Sequence, residues 1–325
     1  MSNVLKSFAL ILMLLNSTLA TAETKEFEIF VASDLPLIND PVNGDYRELA
    51  TLLHKNNNPD KPTFFVFGGG SLGPSPMSSF DKGSHIVDLL NWLEPDVMTL
   101  SKREFIYYED ELSLRAGEAL FPLVSSNLLD RTIGRNLFGI KDYVVIKKGN
   151  SAIGVVSAMH QEVQEEYLLK RVQILPVFNS IKERARDARN EGADVVILTY
   201  TVSDPNINKL VADGVVDIAV SVGHDENNRV SDEQKAYHHF ELVENGDVLK
   251  LNIVINKDRQ RIEVAQNRLR LSDYGRDANI SKYTNQYQNR LDRLLNVQIG
   301  TILSPVSTKR NLIRSQENGF GNLVA

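Results

Sequence analysis

Apolar residues gather in short, nearly continuous runs over 26–33, 62–68, 96–100, 143–149, 151–158, 193–201 and 216–222. Runs of this length rich in Val, Ile and Phe predict β-strands, and their weak alternation predicts burial on both faces, as in a largely parallel sheet. Between them, apolar positions recur at helical spacing over 84–93 and 178–193, the second ending near Gly192, where a helix C-cap is expected. Strands and helices in alternation predict a layered α/β domain. After His238 the pattern changes to alternating apolar and polar residues as far as Leu271. There Glu244-Asn245-Gly246-Asp247 reads as the turn of a hairpin between two alternating runs, in an antiparallel and peripheral region. Residues 277–300 read as a helix with one polar face, and 308–325 as a short tail.

The first residues depart from this plan. Lys6 precedes an apolar stretch from Phe8 to Leu15, and Ala20 and Ala22 form an A-x-A pattern. A stretch this short does not span a bilayer, so residues 1–22 are predicted to be a secretory signal peptide. The chain is then expected to be periplasmic or secreted, with no membrane attachment after cleavage. It contains no cysteine, which excludes disulfides, thiolate metal sites and a cysteine nucleophile. A net charge of −6 argues against nucleic acid as a partner.

The chemistry turns on a glycine loop. Gly68, Gly70 and Gly73 follow a predicted strand with G-x-G-x-x-G spacing, the pattern of a dinucleotide-binding turn. That turn must open a helix onto the pyrophosphate, but Pro74 and Pro76 follow at once, and Pro76 has no N–H for a helix interior. No acidic residue ends the next strand to hold a ribose, and no lysine follows as in a P-loop.

The surrounding segments fit another pattern. GGSLGPSPMSSFDKG (69–83) follows a strand that ends in Gly-Asp, then Ser, Gly-Ser-Pro and further serines. NWLEPDVMTLSKREFI (91–106) aligns without a gap to Asn-Ala-Leu-Gly-x-Asp-Ala-x-Thr-x-Gly-Asn-His-Glu-Phe-Asp. FPLVSSNLL (121–129), GADVVILTYTVS (192–203), VVDIAVSVGHDEN (215–227) and RSQENGFGNLVA (314–325) continue the match in order. Through these segments the chain resembles the N-terminal calcineurin-like metallophosphoesterase domain of the bacterial 5′-nucleotidase family. The resemblance implies a four-layered α/β/β/α sandwich over 23–306. It makes 307–325 the remnant of a linker to an absent C-terminal nucleotidase domain.

In that family two divalent cations generate a hydroxide and clamp the phosphate oxygens. Carried across position by position, the resemblance implies a degenerate metal site. Asp34 keeps the first aspartate, whereas Pro36 replaces a histidine and Gly70 the bridging aspartate. Lys102 stands for the asparagine ligand, Arg103 for the catalytic histidine, and Ile106 for the aspartate that orients it. Tyr200 replaces a later histidine ligand, His224 is kept after Gly223, and Glu226 stands for the last histidine. With no carboxylate at 70 to bridge two cations, no metal cofactor is expected. A positive charge from Lys102 or Arg103 is expected to lie against Asp34 and do the neutralising work of the metals. Apart from the resemblance, Asp34 reads as a turn or cap aspartate and His224 as a hydrogen-bonded loop histidine. His54, His85, His160, His238 and His239 show no ligand spacing, and His238 and His239 would face opposite sides of a strand.

Three functions follow. The first is an exported, catalytically inactive module that binds or assembles with a protein partner. The second is a phosphoric ester hydrolase acting on nucleotides through one Mn or Zn ion on Asp34, His224 and Glu226. The third is an anion or nucleotide sensor in which Lys102, Arg103 and the loop N–H groups hold a small anion without cleaving it.

Overall fold

The computed structural model describes residues 24–201, 206–223, 238–242, 244–256, 261–303 and 305–324. The predicted signal peptide, His224 and Glu226 lie outside the described residues. In chain order the elements are β1 (Thr24–Ala32), α1 (Tyr46–Asn56), β2 (Thr63–Phe67), α2 (Ser84–Leu93), β3 (Val97–Thr99) and α3 (Tyr108–Glu118). Then come β4 (Leu123–Val124), β5 (Leu128–Asp130), β6 (Ile140–Lys141), β7 (Val144–Lys148), β8 (Ser151–Ala158), β9 (Val172–Ile174) and α4 (Val177–Asn190). They are followed by β10 (Val195–Tyr200), α5 (Asn206–Ala212), β11 (Ile218–Ser221), β12 (His239–Glu241), β13 (Asp247–Asn256), β14 (Arg261–Arg270) and α6 (Ala278–Leu295).

A seven-stranded sheet in the order β14-β13-β1-β2-β3-β4-β6 faces a five-stranded sheet in the order β12-β11-β10-β8-β7. Three apolar cores separate four layers. The middle core joins the sheets: Phe27, Ile29 and Val31 of β1 and Val66 of β2 meet Ile153, Val155, Ile197 and Val220. On the far side of the larger sheet, Phe30, Phe65 and Met98 pack with Leu49, Leu52, Ile86 and Leu90 of α1 and α2. Beyond the smaller sheet, Val156 and Leu198 pack with Ile181, Ala185 and Leu210 of α4 and α5. Strand residues must satisfy two cores at once, which is why their sequences run apolar instead of alternating. Each fully buried Val, Leu, Ile or Phe contributes about 1.5–3 kcal/mol.

Helix α4 stops where Gly192 is placed. Gly192 takes φ 100°, its N–H donates to Arg189 O at 3.0 Å, and the Ala193 N–H donates to Ala188 O at 3.1 Å. These are the two bonds of a Schellman ending.

The region after His238 is organised differently from the sequence expectation. Residues 244–247 do not turn a hairpin. They carry the chain between sheets, because β12 pairs parallel with β11 in the smaller sheet and β13 pairs antiparallel with β1 in the larger one. The hairpin is formed by β13 and β14, running from Asp247 opposite Arg270 to Asn256 opposite Arg261. Alternation reports a half-buried strand but not which sheet receives it. Nor is β13 peripheral; β14 is the edge strand.

The chain divides into two compact units, one ending at Gln288 and one beginning at Asn289. The second unit holds the end of α6 and the short helices Arg310–Ser315 and Gly319–Val324. Among the described residues no helix is long and apolar enough to cross a membrane.

Candidate functional site

The site lies where strands of both sheets end. Thr99 of the larger sheet and Thr199 of the smaller one are joined there by a 2.8 Å hydrogen bond between their hydroxyls. Just past β1, Asp34 takes a left-handed φ of 56°, and its N–H donates to Gly69 O at 2.8 Å. The Asp34 side chain is buried.

Gly70 is the residue that makes room for it. Gly70 has φ 80°, and a Cβ added there would stand 2.2 Å from Asp34 Oδ1 and 2.7 Å from Asp34 Cγ. The Asp34 carboxylate therefore fills the volume that any side chain at position 70 would need. Across the site, a Cβ on Gly223 would lie 3.4 Å from Asp34 Oδ2, so the glycine preceding His224 borders the same carboxylate.

A second carboxylate holds the glycine loop. Glu104 is buried and accepts from the N–H groups of Gly70 and Ser71 at 3.0 Å, and from Leu72 at 3.4 Å. It also accepts from the Ser101 N–H at 2.8 Å and the Ser101 hydroxyl at 2.9 Å, closing a capping box on the 3₁₀ turn Lys102–Phe105. This corrects the expectation that the loop N–H groups are available to an anion. Those of Gly70, Ser71 and Leu72 already point at an internal one. The sequence S-x-x-E was the readable signal, but its reach across to residues 70–72 was not.

The two cations that follow Ser101 separate. Arg103 Nη1 lies 3.3 Å from Asp34 Oδ1. Lys102 turns away, and its Nζ sits 3.0 Å from Glu166 Oε1 in an exposed pair. Pro36 joins Asp34, Asp40, Asn43, Arg103 and Asn245 in lining a cavity of about 250 Å³.

Tyr200 ends β10 at this edge, but its side chain enters the core beneath α4 and α5. There its hydroxyl is bonded to Nε2 of His239, which is also buried. Burial raises the Tyr200 phenol above its ordinary pKa and lowers the His239 imidazole to about 4. At this edge the Asp34 side chain lies beside Gly70, and His224 is outside the described residues. Arg103 joins Asp34, and the side chains of Lys102 and Tyr200 do not. His239 was not singled out, since nothing in the chain links positions 200 and 239 until β10, β11 and β12 stand side by side.

The described residues do not fit a two-metal centre. A bridging side chain at 70 would collide with Asp34, and the guanidinium of Arg103 occupies the approach to that carboxylate. Among the described residues, no group of three His, Asp or Glu side chains is placed to hold a metal.

Comparison with known proteins identifies the architecture. No family model matches the chain. The 2′,3′-cyclic-nucleotide 2′-phosphodiesterase/3′-nucleotidase of Salmonella typhimurium is 26% identical over 167 residues, 46% of this chain and 26% of that protein. The match thus spans about a quarter of the relative's length. The calcineurin-like phosphoesterase YfkN of Bacillus subtilis superposes with a TM-score of 0.70 at 18% identity, covering 83% of this chain and 99% of that one. A 5′-nucleotidase precursor from Thermus thermophilus gives a TM-score of 0.67 at 14% identity, covering 92% and 65%. The fold is that of the calcineurin-like phosphoesterases.

Proposed function

We propose that this chain is an exported protein that keeps the calcineurin-like phosphoesterase fold without the chemistry, and serves as a binding or assembly module in the periplasm or outside the cell. One observation carries the reading: the Asp34 carboxylate lies against Gly70 in the space of a bridging ligand and faces Arg103 as its counter-charge. Neutralised in this way, Asp34 needs no cation to be stable in a buried position. Metal analysis of the purified protein tests the reading, together with turnover of bis-p-nitrophenyl phosphate and a nucleoside monophosphate under added Mn²⁺ or Zn²⁺. Background turnover and sub-stoichiometric metal are the expected result. Two metals per chain with turnover would sink the proposal. Export is checked by the mass of the secreted chain, whose N-terminus is expected at Glu23.

The names of the similar proteins favour a second reading, a nucleotide-directed hydrolase with one metal on Asp34, His224 and Glu226. It requires Arg103 to leave Asp34. The third reading, an anion sensor, keeps the guanidinium of Arg103 but loses the loop N–H donors to Glu104.

A further inference from the structure

Strand β7 ends the smaller sheet, with β8 on one side and no strand on the other among the described residues. The direction of its backbone groups follows from its partner. Lys147 stands opposite Ala152, and Ala152 turns both its backbone groups to Asp194, at the start of the strand on the other side of β8. The Ala152 N–H donates to Asp194 Oδ2 at 2.9 Å, and the Ala152 carbonyl accepts from the Asp194 N–H at 2.8 Å. Lys147 and Ala152 are therefore one of the antiparallel pairs that exchange no hydrogen bond, and the N–H and C=O of Lys147 point away from β8. Alternation gives Val145 the same direction. A row of outward backbone groups is a template for one more strand.

The same edge is cationic. Val145 and Lys147 share one face of β7, and Val145 lines a cavity of about 580 Å³ with Tyr143, Arg135 and Lys141. Arg135, Lys141 and Lys147 are exposed, and none of them is ion-paired among the described residues. Two carboxylates border the cavity, Asp142 and Glu191. Asp142 is already engaged by Asn136 at 3.1 Å and by Arg184 at 3.7 Å, which leaves Glu191 against three cations. The whole chain carries −6, so the sign is reversed locally. On the opposite face of β7, Ile146 is half-buried at the margin of the middle core.

We propose that β7 takes an extended acidic segment of another protein as an added strand. The segment alternates acidic and apolar residues. Its main-chain groups pair with those of Val145 and Lys147. Its carboxylates lie on the face of Lys147 and reach Arg135 and Lys141 across the cavity, while its apolar side chains lie beside Ile146. A small anion would use the cations but leave the outward backbone groups unpaired, and a second β7 edge would set like charges against each other. The inference goes beyond the reading of the Asp34 site. Peptide binding is measured on a different surface from metal content and turnover, so either result can fail alone.

Fluorescence anisotropy of a labelled peptide of alternating Glu and Val, about seven residues long, is expected to show saturable binding to the full chain with Kd of about 100 μM or tighter. The Lys-Val counterpart should not bind. Methylating the amide nitrogens of one alternate set in the peptide should weaken binding at least about tenfold, and methylating the other set should be tolerated, because an added strand turns only one set to β7. K141E/K147E should weaken binding by a similar factor with unchanged circular dichroism, since both lysines are exposed. Absence of binding by the Glu-Val peptide would overturn the proposal. So would binding that survives both methylation patterns, which would mean attraction by charge alone, or binding that K141E/K147E leaves intact.

Discussion

Arg103 Nη1 stands 3.3 Å from Asp34 Oδ1, a bond between a residue at the end of β1 and one in the turn that follows β3. Asp34 is buried while the Arg103 side chain is 36% exposed, so solvent screens the cation more than the anion. Arg103→Ala is expected to cost about 1–2 kcal/mol, below the 3–5 kcal/mol typical of a fully buried pair. Calorimetry should show a melting temperature lower by about 2–6 °C, with Arg103→Lys recovering part of it. Lys102→Asn, which removes an exposed partner of Glu166, is expected to change stability by less than about 0.5 kcal/mol. A larger loss from Lys102→Asn than from Arg103→Ala would show that the counter-charge has been assigned to the wrong residue.

Gly70→Asp restores the family's residue type and is expected to damage the protein. The backbone is at φ 80°, and the new Cβ would fall 2.2 Å from Asp34 Oδ1. The cost is expected at about 2–4 kcal/mol, most of it shared by Gly70→Ala, since the clash begins at Cβ. Mn²⁺ or Zn²⁺ should not raise the melting temperature of the Asp variant. A metal-dependent gain of several degrees would show that Asp34 can move aside.

Glu104 accepts from the N–H groups of Gly70, Ser71 and Leu72 in one loop, so its removal should be felt locally. Glu104→Ala leaves those donors buried without it and is expected to cost about 3–5 kcal/mol. Glu104→Gln keeps the shape but loses acceptor capacity, and should cost less. Amide exchange provides the specific readout: protection at Gly70, Ser71 and Leu72 should fall well before that of β1 and β2. Equal loss across all these segments would mean that Glu104 acts on the whole domain and not on the loop.

The burial of His239 gives stability a pH dependence. Burial lowers the His239 pKa from 6.5 to about 4, so the native state favours the neutral ring. The unfolded chain takes up the proton first as pH falls. Stability from this group is fully present above pH 6.5, declines by about 1.4 kcal/mol per unit below it, and levels off near pH 4 after a loss of about 3 kcal/mol. Denaturant titrations between pH 7 and 4 should show this slope, and His239→Phe should remove that share of it. An unchanged slope in the variant would assign the acid sensitivity to the carboxylates.

Much of the fold was legible in the chain. Strands buried on two faces must be apolar throughout, and Gly192 after a run of helical spacing announces where α4 stops, because both signals are local. That a glycine stands at 70, where the resembled pattern has an aspartate, was likewise visible without coordinates. What the chain did not show depends on distance through space. Residues 244–247 looked like a hairpin turn because alternation says nothing about which of two sheets takes the strand. Lys102 and Arg103 are neighbours with equal charge, and the 3₁₀ turn held by Ser101 and Glu104 sends one to Glu166 and the other to Asp34. Tyr200 and His239 meet because three strands of the smaller sheet lie in parallel. Above all, Gly70 read as an absence in the sequence. Packing made it a positive feature, since a missing Cβ is the condition for the Asp34 carboxylate to lie where it does.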